Sequence, residues 1–383
     1  MNRLFDIPEA LYLHIPYCRR KCPYCDFYSI AGAPVQGFVE AILHELESWA
    51  GEVGAVPLRS VYFGGGTPSR LKTEDLLRIL SFIKEHYGLQ AGAEVTLEMN
   101  PEDLDHQDLS RLREAGYNRL SLGLQTTNDQ ALRKLGRLHG YDGFLRAYTA
   151  AQAAGFTNIS LDLILALPHQ TMDDIEQDLS QVLALRPQHV SCYSLIIEEG
   201  TPFGALYTPG EPPLPDDDLE REMVHRVNEE LKVSGYNHYE ISNFALSGFE
   251  SVHNSHYWDI LPYFAVGPAA AAFVNGKRLM HEPDLEAYLA TWETPGPPFE
   301  RVTLVEELSA EDAATELVIF QLRRLDRGFI LSDYEDRFGP LAPWRIEVFH
   351  RYESLGLCEP TGDGWRLTIQ GADYADALAR DLL

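Results

Sequence analysis

Three of the five cysteines in this sequence stand close together near its start, in Tyr12-Leu-His14-Ile-Pro-Tyr-Cys18-Arg-Arg-Lys-Cys22-Pro-Tyr-Cys25-Asp26-Phe27. Cysteine is ordinarily a sparse, buried packing residue, so a CxxxCxxC segment asks for a chemical reason. Five cysteines in 383 residues do not make a disulfide framework, and a local cluster fits a metal site better. An iron–sulfur cluster normally takes four thiolates, so one held by three leaves an iron open to a small chelating molecule. Zinc would need a fourth ligand, His14 or Asp26, and no second CxxC knuckle is present to complete a structural site. Cys192 and Cys358 stand alone and read as small apolar packing residues.

Further downstream, residues able to hold a ligand recur at the ends of apolar stretches. Ser60-Val-Tyr-Phe-Gly64-Gly65-Gly66-Thr67-Pro68 places three glycines where a backbone can approach a ligand closely. Glu98, Gln125, Arg137 and Asp162 follow in Leu-Glu-Met-Asn-Pro, Gly-Leu-Gln, Gly-Arg-Leu-His and Ser-Leu-Asp-Leu-Ile. Taken singly, such charges are usually solvated or in ordinary ion pairs. Their common placement after apolar strands is what sets them apart, because active sites of βα barrels gather at the carboxyl ends of the strands.

The elements that would position them alternate regularly. Strands are expected at Leu11–Ile15, Ser60–Phe63, Glu94–Met99, Arg119–Leu124, Asn158–Leu165 and His189–Leu195. Between them, Phe38, Ile42, Leu43 and Leu46 recur at helical spacing, as do Leu76, Leu77, Leu80 and Ile83 after Thr73, and Ile175, Leu179 and Val182 after Thr171. Asp105 can cap a helix that stops at Gly116. About six strand–helix units predict an α/β fold, a parallel sheet curved into a partial (β/α)6 barrel. A turn-rich loop follows at 208–218, then a helix over 219–234 and an aromatic segment from His253 to Phe264. Glu293-Thr-Pro-Gly-Pro-Pro-Phe reads as a linker. Beyond it, Ser309 and Asp312 can cap a helix, and Gly362-Asp-Gly turns a hairpin, together suggesting a small C-terminal winged-helix-like domain. The division expected is a barrel over 8–235, an extension and linker over 236–292, and the small domain over 300–383.

A formal charge of −27 argues against a nucleic-acid partner, since phosphate binding rests on clustered Lys and Arg. No apolar run is long enough to span a bilayer and Met1-Asn-Arg-Leu-Phe-Asp lacks a signal peptide's apolar core, so a cytoplasmic protein is expected. Peripheral association with the inner face of the membrane, and a homodimer, both stay open.

The cysteine spacing, with an aromatic residue (Tyr24) before the third cysteine, resembles the signature of the radical S-adenosylmethionine (SAM) superfamily. The resemblance implies a [4Fe-4S] cluster on Cys18, Cys22 and Cys25. Its open iron would chelate the amino and carboxylate groups of SAM, which an electron from the cluster cleaves to a 5′-deoxyadenosyl radical; an electron donor is therefore implied as well. It also implies SAM contacts for Tyr12, Gly65, Gly66, Thr67, Glu98, Gln125, Arg137 and Asp162.

Tyr-Leu-His-Ile-Pro before Cys18, Gly-Tyr-Asn-Arg-Leu-Ser-Leu-Gly-Leu-Gln at 116–125 and Asp-Leu-Ile-Leu-Ala-Leu-Pro at 162–168 are similar to the oxygen-independent coproporphyrinogen III dehydrogenase group. The dehydrogenases themselves carry a further cysteine two positions after the third cluster ligand, where this chain has Phe27, and an N-terminal extension, where only a handful of residues precede the first expected strand here. Both departures resemble the haem-chaperone branch, whose members bind haem and pass it to respiratory-chain haemoproteins. That branch carries HNxxYW, present as His253-Asn254-Ser255-His256-Tyr257-Trp258. The resemblance implies haem contacts for His253, Asn254, Tyr257 and Trp258, with His256 a second candidate; imidazole is an ordinary axial iron ligand. Without it, His253 reads as a polar loop residue. Relatives often continue with a Gly-rich stretch carrying His and Ser, whereas this chain has Gly267-Pro-Ala-Ala-Ala-Ala-Phe273, leaving the pocket there open to revision. The rival expectation is the dehydrogenase reaction, oxidative decarboxylation of coproporphyrinogen III to protoporphyrinogen IX.

Overall fold

The computed structural model describes residues 7–54 and 56–383. Its strands are β1 (Ala10–Ile15), β2 (Tyr17–Cys18), β3 (Ile30–Ala31), β4 (Leu58–Gly65), β5 (Leu89–Met99), β6 (Arg119–Gln125), β7 (Ile159–Leu165) and β8 (His189–Ser194), followed by β9 (Asn237–Glu240), β10 (Asn243–Ala245), β11 (Tyr263–Val266), β12 (Ala271–Val274), β13 (Lys277–Met280) and β14 (Thr303–Glu307). Three more, β15 (Phe329–Ile330), β16 (Cys358–Thr361) and β17 (Gly364–Leu367), make a separate small sheet.

The main sheet has twelve strands in the order β14-β13-β12-β11-β1-β4-β5-β6-β7-β8-β10-β9. Strands β1 and β4 to β8 pair in parallel, which is the expected partial (β/α)6 barrel. Its helices start where the sequence signals them. Thr171 closes a capping box with Asp174, and Asp105 accepts from the Asp108 amide before a helix that ends on left-handed Gly116. Thr73 differs. The preceding Lys72 occupies the cap position, while the Thr73 hydroxyl donates to Asp108 of the next helix (2.6 Å) and joins two helices instead of capping one.

Residues 236–307 do not form a layer of their own. They extend the barrel sheet at both ends, with β11 parallel to β1 and β10 antiparallel to β8. Because β14 completes that sheet, the break to the second core falls after Glu307, later than the linker composition suggests. The small domain begins with the Ser309–Asp312 capping box and the helix Ala310–Leu322, and has its own core around Leu317, Phe329, Phe349 and Leu378. Gly362-Asp363 turns its hairpin as expected.

The extension is anchored by one buried carboxylate. Glu45, fully enclosed in the helix Phe38–Val53, accepts from the Tyr288 hydroxyl (2.6 Å), the Gly267 amide (3.0 Å) and His281 Nε2 (2.6 Å). The 267–273 segment therefore packs behind β1, where a Cβ on Gly267 would sit 2.3 Å from the His14 carbonyl oxygen. None of its residues lines the cavity described next.

Candidate functional site

The cysteine loop leaves β1 and is pinned at both ends by the pairing of β2 with β3. Two further backbone bonds tie it to the glycine run: the Gly66 amide donates to Ile15 O (2.9 Å) and the Thr67 amide to Tyr17 O (2.8 Å). Such close approach requires glycine. A Cβ on Gly66 would lie 2.8 Å from the Pro16 carbonyl carbon, and Gly65, at φ 106°, would press one against the His14 ring. Cys18, Cys22 and Cys25 are free and half-buried on the rim of a cavity of about 570 Å³, with Cys18 Sγ 3.4 Å from the Thr67 hydroxyl. Burial pushes the Cys18 and Cys25 thiols up. Of the two neighbours proposed to complete a zinc site, Asp26 lines the same cavity and His14 does not. His14 Nε2 is taken by Tyr28 O at 2.9 Å.

Alternation along the strands delivers the remaining side chains. From β6, Arg119, Ser121, Gly123 and Gln125 all line the cavity, in order from its floor to its mouth. Glu98 accepts from the Tyr62 hydroxyl (2.7 Å), and Asp162 from Ser121 (3.2 Å). Burial dominates both carboxyls, raising Glu98 to about 7 and Asp162 to about 6. Arg137 reaches back to Asn100 and to Gly123 O, and Asn100 in turn donates to Thr67 (3.0 Å). Gln125 stands at φ 71° with its Oε1 buried and without a hydrogen-bond partner.

These features fit the expected cofactors. Three thiols share one rim, an acceptor on the wall lacks a donor, and burial outweighs the nearby Arg119 at two carboxyls, which polar hydrogens of a ligand would help to stabilise as anions. Gly65, Gly66, Thr67, Glu98, Gln125, Arg137 and Asp162 all line this one cavity. Tyr12 does not. It stacks on Tyr62 at 6.1 Å and meets His14 Nδ1 at 3.3 Å, so Tyr62, one strand over, takes the wall position that the sequence reading assigned to Tyr12.

The HNxxYW segment forms the short helix Val252–Trp258, capped by Ser251, at the amino-terminal side of the barrel. Glu94, at the start of the inward-facing run of β5, accepts from the Val252 and His253 amides (3.2 and 3.0 Å). His253 is 1 % exposed, stacks on Tyr62 (5.1 Å), and uses both ring nitrogens: Nδ1 with Ser60 Oγ (2.9 Å) and Nε2 with the Tyr257 hydroxyl (2.7 Å). Burial lowers its pKa to about 3. His256 is also buried, with Nε2 on Pro262 O (2.9 Å). Trp258 faces the other way, edge-on to Phe320 and under the Arg323 guanidinium of the small domain. Of the four expected haem contacts, Asn254 alone lines the cavity.

Sequence reasoning passed over Tyr62, Asn100, Arg119, Ser121, Ser191 and Tyr193 on the cavity wall. A period-two count would have found most of them: Asn100 follows Glu98 by two positions, and Arg119 and Ser121 precede Gln125 on the same face.

The Radical SAM superfamily model matches residues 12–182, and the HemN C-terminal domain model matches 308–374. The chain is 37 % identical over 333 residues to the protein named heme chaperone HemW of Lactococcus lactis, covering 86 % of this chain and 85 % of that one. It is 34 % identical over 384 residues to heme chaperone HemW of Mycobacterium tuberculosis, covering 98 % and 95 %. The corresponding Escherichia coli protein is 35 % identical over 278 residues, covering 71 % and 72 %. Among solved structures, E. coli coproporphyrinogen III oxidase (HemN), described as a radical SAM enzyme, superposes with a TM-score of 0.84 at 21 % identity, covering 98 % of this chain and 90 % of that one, a likeness of fold. With these relatives matched over most of their length, the chain belongs to the HemW family of the radical SAM superfamily.

Proposed function

We propose that this protein is a haem chaperone, binding haem and handing it to haemoproteins from a radical-SAM scaffold. The observation that carries the reading is the convergence of the cysteine triad, the glycine run and the polar side chains of Glu98, Gln125, Arg137 and Asp162 on one cavity, in a chain of this family. Cys18, Cys22 and Cys25 would hold a [4Fe-4S] cluster, and Gly65, Gly66, Thr67, Glu98, Gln125, Arg137 and Asp162 would receive SAM. When bound, that pair supplies one-electron chemistry. Glu98 offers a carboxylate acceptor for the N–H groups of an amine, Arg137 a cation for a carboxylate, and Gln125 an acceptor for a hydroxyl or amide donor. The finer parts of the reading are respiratory-chain haemoproteins as recipients, an electron donor for the cluster, and a cytoplasmic site of action. No helix among the described residues is long and apolar enough to cross a membrane, which fits that site of action.

His253, Asn254, Tyr257 and Trp258 would serve as the haem motif. Since both nitrogens of His253 are occupied, iron ligation by this residue requires release of Ser60 or Tyr257. The test pairs two anaerobic assays on the reconstituted protein. Haem titration should give a saturable spectral change, and incubation with SAM, reductant and coproporphyrinogen III should leave the porphyrinogen unconverted. Efficient formation of protoporphyrinogen IX, or absence of haem binding, would overturn the proposal.

A further inference from the structure

The cavity mouth carries a feature that neither the cluster nor SAM uses. Two of its lining residues are large apolar side chains left open to solvent: Phe27 is 70 % exposed and Ile196 is 67 % exposed. Tyr193, also on the lining, is 41 % exposed. They come from separate parts of the chain, Phe27 from the cysteine loop and the others from the end of β8 and the loop beyond it. A scattered exposed apolar residue needs no explanation, but several around one concave opening mark a binding surface.

The charge on the same loop is unusual for this protein. Arg19-Arg20-Lys21 is the only run of three consecutive basic residues in a chain of net charge −27, and all three are exposed. Arg20 lines the cavity and donates to Gly136 O (3.1 Å), while Arg19 pairs with Asp103 (2.8 Å). Asp103 offsets the charge of Arg19, and Asp26 and Glu198 are the acidic residues on the rim, which leaves Arg20 as the exposed cation on the cavity lining. An apolar ledge beside a basic edge matches one kind of ligand: a broad, flat apolar ring bearing carboxylates along one side.

We infer that haem first docks across the mouth of the cavity, ahead of any ligation by His253, its porphyrin face on Phe27, Ile196 and Tyr193 and its propionates toward Arg20. This placement rests on the haem-chaperone reading and specifies where the cargo is received. It needs no change in the structure described, whereas the buried His253 is reached only after its hydrogen bonds break. It also makes the haem a cover over the SAM site, so haem and SAM exchange become linked.

The experiment uses the full chain with its cluster reconstituted. Phe27 and Ile196 are both exposed, so Phe27→Ser/Ile196→Ser should fold and keep the cluster absorbance. Its haem affinity should fall about tenfold or more, the loss of contact with two large apolar side chains. Haem dimethyl ester, lacking the carboxylates, should bind more weakly than haem to the parent chain, and Arg20→Gln should narrow that difference. Bound haem should slow the dissociation of SAM from the parent chain severalfold and leave it unchanged in Phe27→Ser/Ile196→Ser. If the parent chain binds haem and the double variant binds it equally well, the placement is wrong and the chaperone reading stands. If the parent chain binds no haem, the chaperone reading itself fails.

Discussion

The hydrogen bonds of His253 lead to a quantitative prediction that separates its place in the fold from any part in holding haem. Replacement by Phe keeps a ring between Tyr62 and Tyr257 but removes both imidazole nitrogens. Ser60, which is 1 % exposed, and the Tyr257 hydroxyl then lose their partners. A buried hydroxyl left unpaired costs about 1–3 kcal/mol, and Tyr257 is the less enclosed of the two, so His253→Phe should destabilise the apo chain by ~2–4 kcal/mol. Removing the stranded partners as well, in Ser60→Ala/His253→Phe/Tyr257→Phe, should restore roughly half of that loss, because exchanging both sides of a bond for apolar groups is close to neutral. Urea denaturation at pH 7.5, read as the shift in midpoint, measures both effects. The pH dependence carries the same signature. The folded pKa of His253 is depressed from 6.5 to about 3, so its contribution is complete above pH 6.5 and is lost as pH falls toward 3. In that window His253→Phe should flatten the stability profile by up to about 1.4 kcal/mol per pH unit. A destabilisation below about 1 kcal/mol, or a triple variant no more stable than the single one, would refute the reasoning.

Three further outcomes are expected. Cys22→Ala should lose the cluster, read as iron content after anaerobic reconstitution and as a spectrum that no longer responds to SAM; unchanged iron and spectrum would end the cluster assignment. SAM affinity should rise about tenfold between pH 6 and 8, as Glu98 ionises around 7 and becomes an acceptor for the amino N–H groups, and Glu98→Gln should bind more weakly with that slope gone; isothermal titration across the range decides it. Glu45→Ala strands the donors of Tyr288, Gly267 and His281 in a fully buried site and should cost ~3–5 kcal/mol in urea denaturation, with proteolysis appearing first in 267–292.

Much of the barrel was legible because its signals are local. Apolar strands alternating with amphipathic helices predicted all six core parallel strands within a few residues, and Thr171 and Asp105 capped the helices they preceded. The segment from Tyr239 reads as strand-like and falls on β9, but β11 to β13 were missed for a physical reason. β11 to β13 are four residues each, too short to display a period, and they become strands only because β1 offers a free edge beside them. The helix Val252–Trp258 was likewise hidden: its seven residues include two histidines, Asn, Tyr and Trp, and it is held by Ser251 at its cap and by the carboxylate of Glu94.

The same division runs through the site. The spacing of Cys18, Cys22 and Cys25 was enough to name the chemistry available, since a loop of that length keeps three thiols neighbours in almost any fold. Glu98 and Gln125 were identifiable from their positions at the ends of apolar strands, because a parallel sheet brings the carboxyl ends of its strands to one side, whereas Asp162 lies in the middle of β7 and Arg137 follows the helix Asp129–Lys134, reaching the cavity from a loop. Exposure and hydrogen-bond occupancy are different in kind, for they depend on what a distant segment places against a side chain. Ser60 and Tyr257 occupy both nitrogens of His253, and Tyr62 displaces Tyr12 from the cavity wall. Nothing packs over Phe27 and Ile196 among the described residues, which leaves them open at the mouth. Local order along the chain was sufficient for the cluster; only packing between segments far apart in it could show which of the marked residues face a ligand.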